Sequence, residues 1–191
     1  MPEAWDVHRR NVVKTIGVDH EYLRIDNTRS AYGICRAYNG AIEYARGDVL
    51  VFVHEDVFLL SPDWGAKLEA KFSADPSLGL IGLAGTQYLL REPKPWVAAG
   101  RPFIRGRVVH ECQGSQVLSV YSHDQEDAEV VVADGLFLAM RKEVFRYLRF
   151  DEVHFDHFHF YDLDVCMPSA SEVAADRHQR HPGKTRLPGR L

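Results

Sequence analysis

Between Ser30 and Asp56 the chain reads SAYGICRAYNGAIEYARGDVLVFVHED, a helical pattern that passes into a buried-strand pattern across a single glycine. Few folds can use such a segment. Ile34, Ala37, Ala41, Ile42 and Ala45 fall on one helical face, Ser30 is a cap-type residue at the start, and Gly47 suits the stop. The apolar run of DVLVFV has no polar side, so as a strand it must be covered on both faces. A helix feeding directly into a doubly covered strand predicts a layered α/β domain.

The neighbouring segments repeat this logic. AWDVHRRNVVKTIG places Trp5, Val12, Val13 and Ile16 near helical spacing before Gly17, and HEYLRIDN alternates as a strand would. SPDWGAKLEAKF predicts a helix capped by Ser61 with Pro62 at its first position, and LGLIGLAG predicts the next buried strand. From Gln87 to Gly106 the chain is irregular around Trp96, RVVHECQGSQVLSVYS predicts a hairpin turning at QGS, EVVVAD a strand and RKEVFRYL a short helix. The expected fold is α/β, with a mixed, mostly parallel sheet flanked by helices. One domain spans residues 1–167, and residues 168–191, rich in proline and poor in large apolar side chains, are expected to be an irregular or disordered tail.

Charge and cysteine content remove several classes. With 23 basic and 27 acidic residues the net charge is −4, which gives no reason to expect nucleic-acid binding. No apolar run approaches the roughly 20 residues of a membrane span. Cys35, Cys112 and Cys166 form no CxxC pair and the N-terminus has no apolar signal core, so a reducing cytoplasm is the expected compartment.

In open α/β sheets ligands gather beyond the carboxyl ends of strands. Two polar clusters occupy such places: Asp26 and Asn27 after the first predicted strand, and His54, Glu55 and Asp56 after DVLVFV. Adjacent carboxylates at a strand end can hold a magnesium or manganese ion whose shell a bound diphosphate completes, or they can simply solvate a loop. The stretch DEVHFDHFHFYDLDVC carries His154, His157 and His159 among aromatics, a composition that suggests zinc. In an extended segment His157 and His159 would share a face while His154 points away, which is poor geometry for one ion. Asp162 and Asp164 fall at the start of a predicted helix, where an aspartate is suited to act as a general base.

Taken in order, IDN, SAYGICRAYNGAIEYARGDVLVFVHEDV, LGLIGLAG, VVVADGLFLAMRKEVF and FDEVHFDHFHFYDLDVC resemble the family 2 glycosyltransferase relatives grouped as streptomycin-biosynthesis StrF-type domains, over about residues 5 to 167. The resemblance implies a GT-A fold, a Rossmann-like domain for nucleotide-diphospho-sugars. It implies nucleotide contacts at Asp26, Asn27 and Asn39, and a divalent metal, Mn or Mg, at Asp56 and Glu55. It implies an acceptor side at Asp134, Gly135, His157 and His159, with Asp162 as the base of an inverting transfer. Independently of the resemblance, Trp96 in the proline-rich segment could stack on a sugar at the acceptor side or serve as a packing anchor. The donor would be a nucleotide-diphospho-sugar, and the acceptor is not specified.

Against that pattern, the family's first strand is expected to be missing here, and Pro168 interrupts the helix after YDLDVC. A sheet without that strand would leave backbone groups unpaired and could recruit a second copy of the chain. Two other functions are compatible with the residues: a non-catalytic nucleotide-sugar-binding or scaffold domain of the same fold, and a zinc-dependent hydrolase built on the histidines.

Overall fold

The computed structural model describes residues 3–91, 94–124, 126–155, 159–166 and 184–187. Helices α1 (Ala4–Thr15) and α2 (Ile34–Tyr44) precede strand β1 (Val49–Val53). Helix α3 (Trp64–Ala74) leads into β2 (Leu78–Gly82), and the chain then changes sheet at Leu83 to form β3 (Ala84–Thr86). A hairpin of β4 (Ile104–Cys112) and β5 (Ser115–Val120) follows, then β6 (Ala128–Glu129), β7 (Val132–Ala133), β8 (Phe137–Arg141), the short α4 (Tyr161–Cys166) and β9 (Lys184–Leu187).

The larger sheet has the order β1-β8-β2-β9-β6 and the smaller β5-β4-β3-β7. β8 runs antiparallel between β1 and β2, and β2 pairs parallel with β9. The mixed α/β class therefore stands, with β1, β2 and β9 pointing one way. Direct parallel pairing among the described strands is confined to β2 and β9, less than the expected mostly parallel sheet, because β8 is inserted between strands that helices connect.

Alternation along β8 sorts the core into two layers. Phe137 and Ala139 face Val12, Ile16, Trp64, Leu68 and Phe72 of the α1/α3 side. Leu138 and Met140 face Ile34, Cys35, Ile42, Tyr161 and Val165 of the α2/α4 side. Arg141 ends the strand by donating from Nε to the Leu78 carbonyl (2.9 Å) and from Nη2 to the Asp75 carbonyl (3.1 Å), which satisfies backbone groups where α3 turns into β2.

Several local expectations are corrected. Helix α2 starts at Ile34 behind Gly33, and α3 starts at Trp64 behind Asp63, so neither Ser30 nor Ser61 is the cap. HEYLRIDN is not a strand. A strand needs a ladder partner, and this segment is fixed by side chains instead: Glu21 Oε1 accepts from the backbone N–H of Arg46 (2.5 Å) and Gly47 (3.3 Å), and His8 Nδ1 lies 2.8 Å from the Tyr22 hydroxyl. EVVVAD divides between the two sheets as β6 and β7. The QGS hairpin forms as expected, with Gln113 and Gly114 both at positive φ (52° and 77°), the conformation a two-residue hairpin turn favours. Lys184–Leu187, inside the segment expected to be irregular, is a strand on β2, while the rest of 168–191 lies outside the described residues. Among the described residues the first element is a helix, β1 stands at the edge of its sheet, and no helix is long and apolar enough to cross a membrane.

Candidate active site

The ladder between β1 and β8 brings two polar turns together. Val53 is opposite Phe137, and one residue further on the His54 N–H donates to the Leu136 carbonyl (3.3 Å). The HED turn that follows β1 is thereby set beside the Asp134-Gly135 turn that precedes β8.

Helix α4 closes onto that turn. Phe160, at φ 67°, takes a left-handed conformation uncommon for a bulky residue, and directly after it Tyr161 enters the core at 3% exposure. The Tyr161 hydroxyl donates to the Gly135 carbonyl (3.0 Å) and lies 2.8 Å from His54 Nε2. The Gly135 N–H donates to Asp162 Oδ2 (3.0 Å), and the Leu163 N–H donates to Asp162 Oδ1 (2.9 Å). Asp134 is held in parallel: Oδ2 accepts from the Trp96 indole N–H (2.6 Å) and Oδ1 from the Leu136 N–H (2.8 Å).

Burial raises the Asp162 carboxyl above its ordinary value; the Gly135 N–H opposes this and the Asp134 charge adds to it. The Tyr161 phenol is pushed up by burial first and then by Tyr38, Asp162 and Asp134, so it stays protonated as a donor. The site thus holds a carboxylate of enhanced basicity beside a neutral hydrogen-bonded phenol.

Glu55 and Asp56 lie in the adjoining turn, closed by the Val57 N–H to the His54 carbonyl (3.1 Å), and both are exposed. Among the described residues no group of three or more His, Cys, Asp or Glu converges as a metal cage. The pair nonetheless fits a hard divalent ion of the magnesium type, which is held by one or two carboxylates and completes its shell with water and substrate phosphate.

Comparison with protein-family models matches residues 7–173 to a glycosyltransferase-like family. The chain belongs to this family. Comparison with curated proteins finds no match. The match takes in every turn described above, so the constellation around Gly135 is part of a glycosyltransferase-like domain.

Within this glycosyltransferase-like fold the other expected site residues are distributed unevenly. Asp134, Gly135, Asp162 and Trp96 come together, with Glu55 and Asp56 beside them through His54. Trp96 is only 8% exposed and packs edge-on against Tyr121, so it anchors Asp134 and presents no open face for stacking on a sugar. Asp26 accepts from the Thr28 N–H (3.1 Å) and hydroxyl (2.9 Å), and Asn27 bonds both backbone groups of Tyr32 (2.8 and 3.1 Å), so these two shape their own loop. Asn39 is likewise engaged, donating to the Phe150 carbonyl (2.9 Å) and accepting from the Phe150 N–H (3.1 Å). His157 lies outside the described residues, His159 is exposed beside Phe160, and His154 pairs with Asp151 (2.7 Å). Sequence reasoning missed Tyr38, whose ring packs edge-on to Tyr161 (5.9 Å), and it gave the Tyr161 hydroxyl no role. The tyrosine directly before the candidate base was the available signal.

Proposed function

We propose that this glycosyltransferase-like domain moves a sugar from a nucleotide-diphospho-sugar to an acceptor hydroxyl, with Asp162 as base and the Glu55-Asp56 turn at the donor end. The finer placement among StrF-type domains and an inverting outcome belong to the same proposal. The observation that carries it is the juxtaposition of a half-buried, backbone-anchored carboxylate with an exposed acidic turn at the end of β1.

Each Asp162 oxygen accepts one backbone N–H and keeps a further lone pair for an incoming hydroxyl. The acceptor oxygen attacks the anomeric carbon, the bond from that carbon to the diphosphate oxygen breaks, and the hydroxyl proton passes to Asp162. Its raised proton affinity suits that task at neutral pH. A divalent ion, Mn or Mg, held by Asp56 and Glu55 supplies neutralisation of charge on the departing diphosphate when bound. Asp134 keeps the Gly135 turn in place through Trp96 and Leu136.

The test is release of nucleoside diphosphate from a panel of UDP- and GDP-sugars with Mn and pooled sugar acceptors. Acceptor-dependent release by the wild type, lost in Asp162→Asn with nucleotide binding retained, is the expected result. Release unchanged in Asp162→Asn removes Asp162 from the chemistry. Nucleotide binding with no release from any donor supports the non-catalytic binding domain instead.

A further inference from the structure

We propose that Tyr161 is a positioning residue whose hydroxyl, oriented by His54, grips the Gly135 carbonyl so that the Gly135 N–H meets Asp162. The inference rests on the reading of Asp162 as acceptor base and adds two residues to it.

A phenol has one O–H to give and two lone pairs to receive. The Tyr161 O–H is committed to the Gly135 carbonyl at 3.0 Å, so the contact with His54 at 2.8 Å must run the other way, from a protonated Nε2 to a phenol lone pair. The hydrogen-bond network therefore assigns His54 its Nε2–H form. Two consecutive residues of α4 then hold both backbone groups of one glycine: Tyr161 takes its carbonyl and Asp162 its N–H. These groups belong to successive peptide planes, so the double grip fixes the Gly135 torsions and with them the approach of Asp162 to the turn. Tyr161 is buried among Tyr38 and Phe150, which leaves its ring a single placement. Phenylalanine would keep that packing and remove only the hydroxyl. Asp134, Asp162, Tyr38 and His54 are the other titratable groups facing this hydroxyl.

The experiment uses the ligand-free full chain, with amide exchange at Gly135 and a carbon-13 titration of the Asp162 carboxyl. In Tyr161→Phe, Gly135 exchange should accelerate by roughly tenfold, the value of one hydrogen bond, and the Asp162 midpoint should move, while the Leu80 amide in the centre of β2 keeps its protection. His54→Ala should shift both signals in the same direction, and His54→Gln, which still offers an N–H at similar reach, should restore them. Unchanged Gly135 exchange and Asp162 titration in Tyr161→Phe would overturn the proposal. An equal loss of protection at Leu80 would overturn it as well, by making the hydroxyl a matter of general stability. If the wild type binds no nucleotide, the transfer reading fails, yet this ligand-free comparison still decides the positioning role.

Discussion

A methyl group added at Gly135 would stand 2.1 Å from the Tyr161 hydroxyl oxygen and 2.5 Å from its ring carbon Cζ, well inside any real contact. The ring cannot retreat, because Tyr38 and Phe150 pack against it. Gly135→Ala should therefore cost about 1–3 kcal/mol by overpacking and abolish transfer, with urea unfolding as the check on the first and donor turnover on the second. Asp162 acts in the opposite sense on stability. Its folded pKa lies above the ordinary 3.8 through burial, so the stability tied to its protonated form is fully present below 3.8 and is lost as pH rises through the folded value. The side-chain amide introduced by Asp162→Asn cannot ionise; it keeps a carbonyl for the Gly135 N–H but sets its NH2 against the Leu163 N–H. Asp162→Asn should accordingly remove this pH dependence: relative to the variant, the wild type loses melting temperature as pH rises from below 3.8 towards 7, and melting curves across that range read the slope directly. Asp162 could be picked out in the sequence because it sits at the start of a predicted helix, and Asp134 and Gly135 through the family resemblance. The Tyr161 hydroxyl could not, since its partners lie just after β1 and just before β8, and only the fold brings them together.

Elements are joined here by side chains that bond backbone. Asn39 on α2 carries both hydrogen bonds to Phe150 and so fixes the segment leading to α4. Removing it leaves the Phe150 N–H and carbonyl without these partners, so Asn39→Ala should lower unfolding free energy by about 1–3 kcal/mol, measurable by urea denaturation, and should shift nucleotide affinity little. A large loss of nucleotide affinity at unchanged stability would return Asn39 to the nucleotide. At this scale the sequence showed helices α1, α2 and α3 clearly through their apolar periodicity, and strands β1 and β2 as apolar runs that each follow a predicted helix. Helix starts were misplaced by up to three residues: Ser30 (φ 50°) is not a cap, and Asp63 (φ 57°), which takes the place expected of Ser61, makes no side-chain cap bond, so neither start follows local cap chemistry. β8 was not recognised as a strand, although Phe137, Leu138, Ala139 and Met140 are all fully buried, because a short all-apolar run carries no period to read and this one, unlike β1 and β2, does not follow a predicted helix.

Across the whole molecule, the order β1-β8-β2 is what turns separate motifs into a site. Helix-strand alternation announced α/β layers, the order of motifs carried the family-level resemblance, and residues 7–173 match a glycosyltransferase-like family. What alternation could not convey is that an antiparallel strand enters between β1 and β2 and sets the Asp134-Gly135 turn against His54, since such a pairing is a long-range event with no local signature. The proposed donor end rests on two exposed carboxylates, Glu55 and Asp56, next to that junction. Calorimetric titration of UDP and GDP, with and without manganese, in the wild type and in Asp56→Ala tests the donor site most directly. Manganese-dependent binding of one of the nucleotides is expected, with a loss of about 10- to 100-fold or more in Asp56→Ala, as when a carboxylate that holds the metal is removed. Binding that is indifferent to manganese and to Asp56→Ala, or no binding of either nucleotide to the folded wild type, would contradict it.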